Sequence, residues 1–254
     1  MKRLIIILTL FTFFLNSVNA ENAKNISSKE YKVVANDGFG ITATLEYPKI
    51  KDKKEFSTVV LLHSLGYNST WWESLPTDLL SSGYAVVKID LRGHGNSVYS
   101  NNLSKVSWKN LTNKAYMKYP DDVITVIDYI KNENKRVFFD NWAIIGSDIG
   151  AATSILVANQ IDYKPKTIVM LSPIVKAKGL YVPVKLAELN NIDILSITGG
   201  TDINGLEANE YLKKFAQSTY VEYTSESKST GMLLLKHDKA LPKFILSWIS
   251  QYLK

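Results

Sequence analysis

Three histidines, no cysteine and a dispersed set of aspartates and serines make up the chemical repertoire of this 254-residue chain. Without cysteine there is no thiolate nucleophile, no disulfide and no Cys-ligated metal. His63, His94 and His237 fall at spacings that form no metal-ligand set, and no organic cofactor is implied. What remains is carboxylate, hydroxyl and imidazole chemistry. Asp121 and Asp122 precede a helix and read as its N-terminal caps rather than as a paired-carboxylate site. The net charge is +6, but the basic residues are scattered, which describes a solvated surface rather than a nucleic-acid footprint.

The elements that must position these groups follow an α/β grammar. Tyr31 to Asn36 and Ile41 to Tyr47 are β-prone stretches around Asp37-Gly38, a hairpin turn signal, and read as an opening antiparallel pair. Short apolar strands then alternate with helical segments. Ser57 to Leu62, Tyr84 to Ile89, Trp142 to Ile145, Thr167 to Leu171, Ile192 to Ile197 and Tyr220 to Tyr223 are the strands. Trp72 to Ser82, the stretch after Pro120, Ile149 to about Gln160, Glu207 to Phe215 and Lys243 to Leu253 are the helices. Continuous apolar strands separated by helices imply an eight-stranded, mostly parallel sheet covered on both faces. With 46% apolar residues, one well-filled domain over residues 21–254 is expected.

Residues 1–20 carry Lys2 and Arg3, the apolar run Leu4 to Leu15, and Val18-Asn19-Ala20, the pattern of a secretory signal peptide cleaved after Ala20. Its apolar run is shorter than the roughly 20 residues of a bilayer span. A secreted or periplasmic protein with no stable membrane span after signal cleavage is expected. Four N-x-S/T sequons, at Asn25, Asn68, Asn102 and Asn110, accompany a general richness in Asn.

Four stretches resemble the α/β-hydrolase superfamily, in particular its compact esterase and dienelactone-hydrolase-like members. They are Val59 to Gly66 (VVLLHSLG), Gly83 to Ser97 (GYAVVKIDLRGHGNS), Ile144 to Ala151 (IIGSDIGA) and Ile194 to Asp202 (ILSITGGTD). The resemblance implies an α/β-hydrolase fold. Only about twenty residues separate Leu171 from Ile192, too few for a large cap, so an open cleft is expected. Residues 98–119, with Trp108, are the other candidate cover, or a polar surface excursion.

In that superfamily the nucleophile sits on a strand-to-helix turn, G-x-Nuc-x-G. The frame here is Gly146-Ser147-Asp148-Ile149-Gly150, so the nucleophile position falls on Asp148 and Ser147 is one residue out of register. A carboxylate attacking an ester would form an anhydride, whereas at an sp3 carbon it displaces halide or opens an epoxide. The Asp-nucleophile branches place Trp after the Asp and H-G-x-P in the oxyanion loop. This chain has Ile149 and His63-Ser64-Leu65-Gly66. It looks like the serine-type branch with its serine replaced.

The resemblance places the acid at Asp202 and the base near Ser229, where no histidine stands; His237, eight residues on, is a displaced candidate. His63 and His94 read as loop-shaping. The oxyanion donors would be the backbone amides of Leu65 and Ile149. Trp71 and Trp72 flank the expected pocket, with core packing expected for at least one. These features leave three readings: a secreted relative of carboxylester and acyl hydrolases whose activity is weak or lost, a pseudoenzyme; an active Asp-nucleophile hydrolase of the haloalkane or epoxide type; or a non-catalytic small-molecule or peptide binding protein. An ester-like small molecule is the expected ligand.

Overall fold

The computed structural model describes residues 25–253, so the expected signal peptide lies outside the described residues. The strands are β1 (Ile26–Val34), β2 (Gly40–Pro48), β3 (Phe56–Leu62), β4 (Ala85–Ile89), β5 (Val137–Ser147), β6 (Thr167–Leu171), β7 (Lys176–Ala177), β8 (Leu180–Tyr181), β9 (Asp193–Gly199) and β10 (Tyr220–Ser225). The helices are α1 (Leu75–Ser81), α2 (Asn113–Tyr116), α3 (Tyr119–Glu133), α4 (Ile149–Gln160), α5 (Pro183–Ala187), α6 (Ile203–Lys213), α7 (Leu233–His237) and α8 (Leu241–Tyr252).

Eight strands form one sheet in the order β1-β2-β4-β3-β5-β6-β9-β10. β2 runs antiparallel to both neighbours, and every pair from β4 to β10 is parallel. The alternation of side chains along each strand divides the core in two. Val60, Leu62, Ile144, Ile168 and Met170 face one way, onto α3 and α4. Val59, Leu61, Ile145, Val169 and Leu171 face the other, onto α1 and α8. Burial on both faces is why these strands read as unbroken apolar runs.

The sheet reverses its winding between β3 and β5, and in open α/β sheets ligands bind beyond the carboxyl ends of the strands at such a point. Residues 172–192 contain only the β7–β8 hairpin and the five-residue α5, so no large cap stands over that edge. Among the described residues, no helix is long and apolar enough to cross a membrane.

Two expectations need correction. α1 begins at Leu75 rather than Trp72, because Pro76 is pre-set for a first helical turn and Glu73 takes a positive φ of 50°. Asp121 and Asp122 are not caps: α3 begins at Tyr119, with Lys118 at its N-cap, so both lie inside its first turn. The buried Asp122 carboxylate instead accepts two hydrogen bonds from Arg92, at 2.8 and 2.6 Å. Arg92 also reaches both carboxylate oxygens of Asp37, at 2.7 and 3.0 Å, and Lys118 adds a third ion pair. Those cations hold the Asp37 carboxyl well below the usual carboxylate range. The cage ties the β1–β2 turn to α3 and to the loop after β4.

Candidate active-site cleft

β5 ends at Ser147 and α4 starts at Ile149, leaving Asp148 alone at the crest of a one-residue turn with φ 52° and ψ −113°. For a non-glycine residue that backbone is strained, at a typical cost of about 1–3 kcal/mol. The two framing glycines make the crossing feasible. A Cβ on Gly150 would lie 2.1 Å from the Leu62 carbonyl oxygen, and one on Gly146 would lie 2.2 Å from that of Gly150.

The Asp148 side chain turns into the positions expected for an oxyanion. The Leu65 amide donates to its Oδ2 at 3.1 Å, and the neighbouring Ile149 amide favours the ionised carboxyl. Burial raises the Asp148 pKa above its ordinary value; the two amides oppose the rise and the negative charge of Asp202 adds to it. Ser147 is fully buried and is not among the cleft residues; its Oγ lies 2.7 Å from that of the cleft-lining Ser64.

Asp202 caps α6: its Oδ1 accepts the Gly205 amide at 3.0 Å, which starts that helix four residues earlier than expected. Its Oδ2 is buried and has no hydrogen-bond partner among the described residues. Asp148 and Asp202 line the same cleft, of about 260 Å³, together with Ser64, Tyr67, Ser172 and Thr230. Among the described residues, no Lys, Arg or His lines it.

The loop after β10 departs from the sequence reading. Ser229 does not face this cleft; Thr230 and Gly231 do. Gly231 has φ +56°, its amide donates to Ser172 Oγ at 2.7 Å, and a Cβ there would lie 2.8 Å from Ser64 Oγ. His237 is not brought to the aspartates. It sits exposed at the end of α7, its Nδ1 2.5 Å from Ser229 Oγ, and it is not among the cleft residues.

His63 and His94 build the wall behind the cleft. The Leu91 amide donates to His63 Nε2 at 2.9 Å, and the Gly66 amide to His94 Nε2 at 3.0 Å. Each Nδ1–H then donates to a backbone carbonyl, of Ser64 and Arg92 respectively. Burial lowers both pKa values, that of His63 to about 4. Trp108, from the segment considered as a cover, stacks on His94 at 5.6 Å with the rings nearly parallel and closes over Gly66. Trp72 is buried in the core, and Trp71 is exposed against Tyr67. Tyr67 is the aromatic that reaches the cleft.

Sequence reasoning missed Ser172, Tyr67, Asn204 and Thr230. Ser172 carried a usable signal, because it directly follows β6 at the carboxyl edge of the sheet. Among the described residues, no group of three or more His, Asp or Glu side chains could hold a metal ion.

Residues 53–218, well over half of the chain, match the family model described as serine aminopeptidase, S33. No curated protein matches the sequence. Among solved structures, an esterase from Exiguobacterium antarcticum superposes with a TM-score of 0.63 at 13% identity, covering 87% of this chain and 100% of its own. The Pyrococcus furiosus esterase Pf2001 gives 0.68 at 14% identity, covering 93% and 94%. The Pyrococcus horikoshii acylaminoacyl peptidase gives 0.73 at 12% identity over 92% of this chain, which spans only 43% of that longer protein. At such identities the likeness establishes the fold.

Proposed function

Because this chain belongs to the serine aminopeptidase, S33 family of α/β-hydrolases, we propose that it is an exported relative of ester- and acyl-cleaving enzymes whose own ester turnover is lost or severely weakened. The observation that carries this reading is the hydrogen bond from the Leu65 amide to Asp148 Oδ2. Donors that would stabilise a developing oxyanion are occupied by a resident anion. Losing one such donor typically costs about 10²–10³ in kcat. A carboxylate attacking an ester yields an anhydride more reactive than the ester, so nothing is gained at that step. The absence of an imidazole among the cleft residues removes a further factor of about 10²–10⁴.

The test is hydrolysis of p-nitrophenyl acetate and butyrate by the purified mature protein. The expected rate is the uncatalysed background, unchanged in Asp148→Ala. Brisk hydrolysis abolished by that substitution would overturn the reading.

The same cradle favours a second chemistry: with Oδ2 held, the other carboxylate oxygen is presented to an sp3 carbon, as an alkyl halide or epoxide would offer. His237, bonded to Ser229, is not poised to activate water against the resulting ester. This reading predicts an alkylated Asp148 that persists after incubation with 1-bromobutane or styrene oxide. An unchanged protein mass would remove it.

Export rests on the pattern of residues 1–20 and is tested by N-terminal sequencing of the protein from its native source. A mature chain outside the cytoplasm beginning at Glu21 is expected, and a cytoplasmic chain beginning at Met1 would overturn it.

A further inference from the structure

We infer that the cleft between Asp148 and Asp202 binds an organic ammonium ion carrying an apolar chain, with the ammonium between the two carboxylates and the chain along the groove beside Ile174. Among the described residues, two carboxylates line this cleft and no basic side chain does, in a protein whose net charge is +6. Asp202 is more than nine-tenths buried, lines the cleft, and keeps one oxygen without any hydrogen-bond partner among the described residues. An acid so placed is normally satisfied by a cationic donor, because an unpaired buried carboxylate is costly.

The chemistry of the donor set selects the cation. Calcium takes six to eight oxygen ligands and magnesium an octahedral set, whereas this cleft offers two carboxylates, each with one oxygen already accepting from a backbone amide. A primary ammonium needs only three acceptors, and the Asp148 and Asp202 carboxylates with the hydroxyls of Ser64 and Ser172 are on hand. Beyond Ile174 and Asn204, which line both spaces, lies a groove of about 580 Å³ walled by Val175, Ala208 and Tyr211, with Lys176 and Glu207 as its charged members. Its predominantly apolar lining suits an alkyl or aryl substituent.

This inference rests on the preceding reading in one respect, that Asp148 stays an unmodified carboxylate. Calorimetric titration of the purified protein at pH 7 with n-hexylamine, 1-hexanol and hexanoate tests it. Hexylamine alone is expected to give saturable heat, weakened at least tenfold in both Asp202→Asn and Asp148→Asn. Should Asp202→Asn fail to fold, Asp148→Asn supplies the same comparison, since the amide keeps an oxygen for Leu65. Equal binding of 1-hexanol, binding unaffected by the substitutions, or no heat from hexylamine would each overturn it. Ester turnover measured on the same sample separates the two claims: hydrolysis would sink the proposed loss of activity, whereas failure to bind hexylamine would sink only this one.

Discussion

The Gly66 amide donates to His94 Nε2 at 3.0 Å, joining the loop after β3 to the loop after β4 directly behind the cleft. An amide can donate only to an unprotonated ring nitrogen, so this bond and its counterpart from Leu91 to His63 fix both rings as neutral Nδ1–H tautomers. Protonating either ring would set a donor against a donor. His63 should therefore stay neutral until about pH 4. A folded-state pKa below the ordinary 6.5 contributes stability that is present above pH 6.5 and lost as pH falls through the folded value. Long-range ¹H–¹⁵N spectra should show the Nδ1–H form of both rings at pH 6. A His63 resonance titrating near 6.5 would contradict the assignment.

The turn that carries Asp148 tolerates no Cβ on its second glycine. Gly150→Ala would drive a methyl group to 2.1 Å from the Leu62 carbonyl oxygen and 2.7 Å from that of His63, both backbone atoms of a central strand and its end. The expected destabilisation is about 3 kcal/mol or more, beyond the usual cost of overpacking because backbone must move. Gly40→Ala is the contrast: its nearest neighbour lies at 3.6 Å, an ordinary contact, so the change should be neutral or slightly stabilising. Urea denaturation of the two variants measures the difference, and equal midpoints would show that the crossing is looser than described.

Asp148 links the cleft to pH. Its carboxyl pKa is raised in the fold, first by burial, so the fold favours the protonated acid. The corresponding stability is fully present below the ordinary value of 3.8 and is lost as pH rises through the folded value. Asp148→Asn has no such charge to bury. The variant should therefore melt above the wild type at pH 7, and the gap should narrow as pH is lowered toward 4. A gap that stays constant over that range would mean that the carboxyl is not strained by burial.

Much of this architecture could be read in advance because its causes are local. α4 was expected from Ile149 to Gln160 and β6 from Thr167 to Leu171, and both fall there, since an apolar run and a glycine frame need no distant partner. The presentation of Asp148 follows from the same frame. The cage around Arg92 was not legible: Asp37 lies 55 positions away and Asp122 30, and nothing in either neighbourhood announces the pairing. In the loop after β10, Thr230 and Gly231 line the cleft, whereas Ser229, the position expected there, bonds to His237. Loop register depends on contacts such as Gly231 with Ser172, which only the assembled sheet edge creates.

The proposed loss of ester turnover should be reversible by substitution. Asp148→Ser would keep a short polar side chain at the crest of the turn and release the Leu65 and Ile149 amides for a developing oxyanion. Gly231 is a poor carrier for the base, because its φ of +56° strains any side chain and a Cβ would crowd Ser64 Oγ, but Thr230 already lines the cleft with Asp202. A histidine at 230 would offer a ring N–H to the acid whose Oδ2 has no partner. Neither Asp148→Ser nor Thr230→His alone should hydrolyse p-nitrophenyl butyrate above background, since nucleophile and base act as a unit. The double variant should exceed both by about 10²–10⁴, the usual contribution of a positioned general base. Adding Asp202→Asn should take most of that gain away, whereas adding His237→Ala should not. A folded double variant that stays at background would show that position 230 does not present its side chain to the crest. Sensitivity to His237→Ala would instead make His237 the working base.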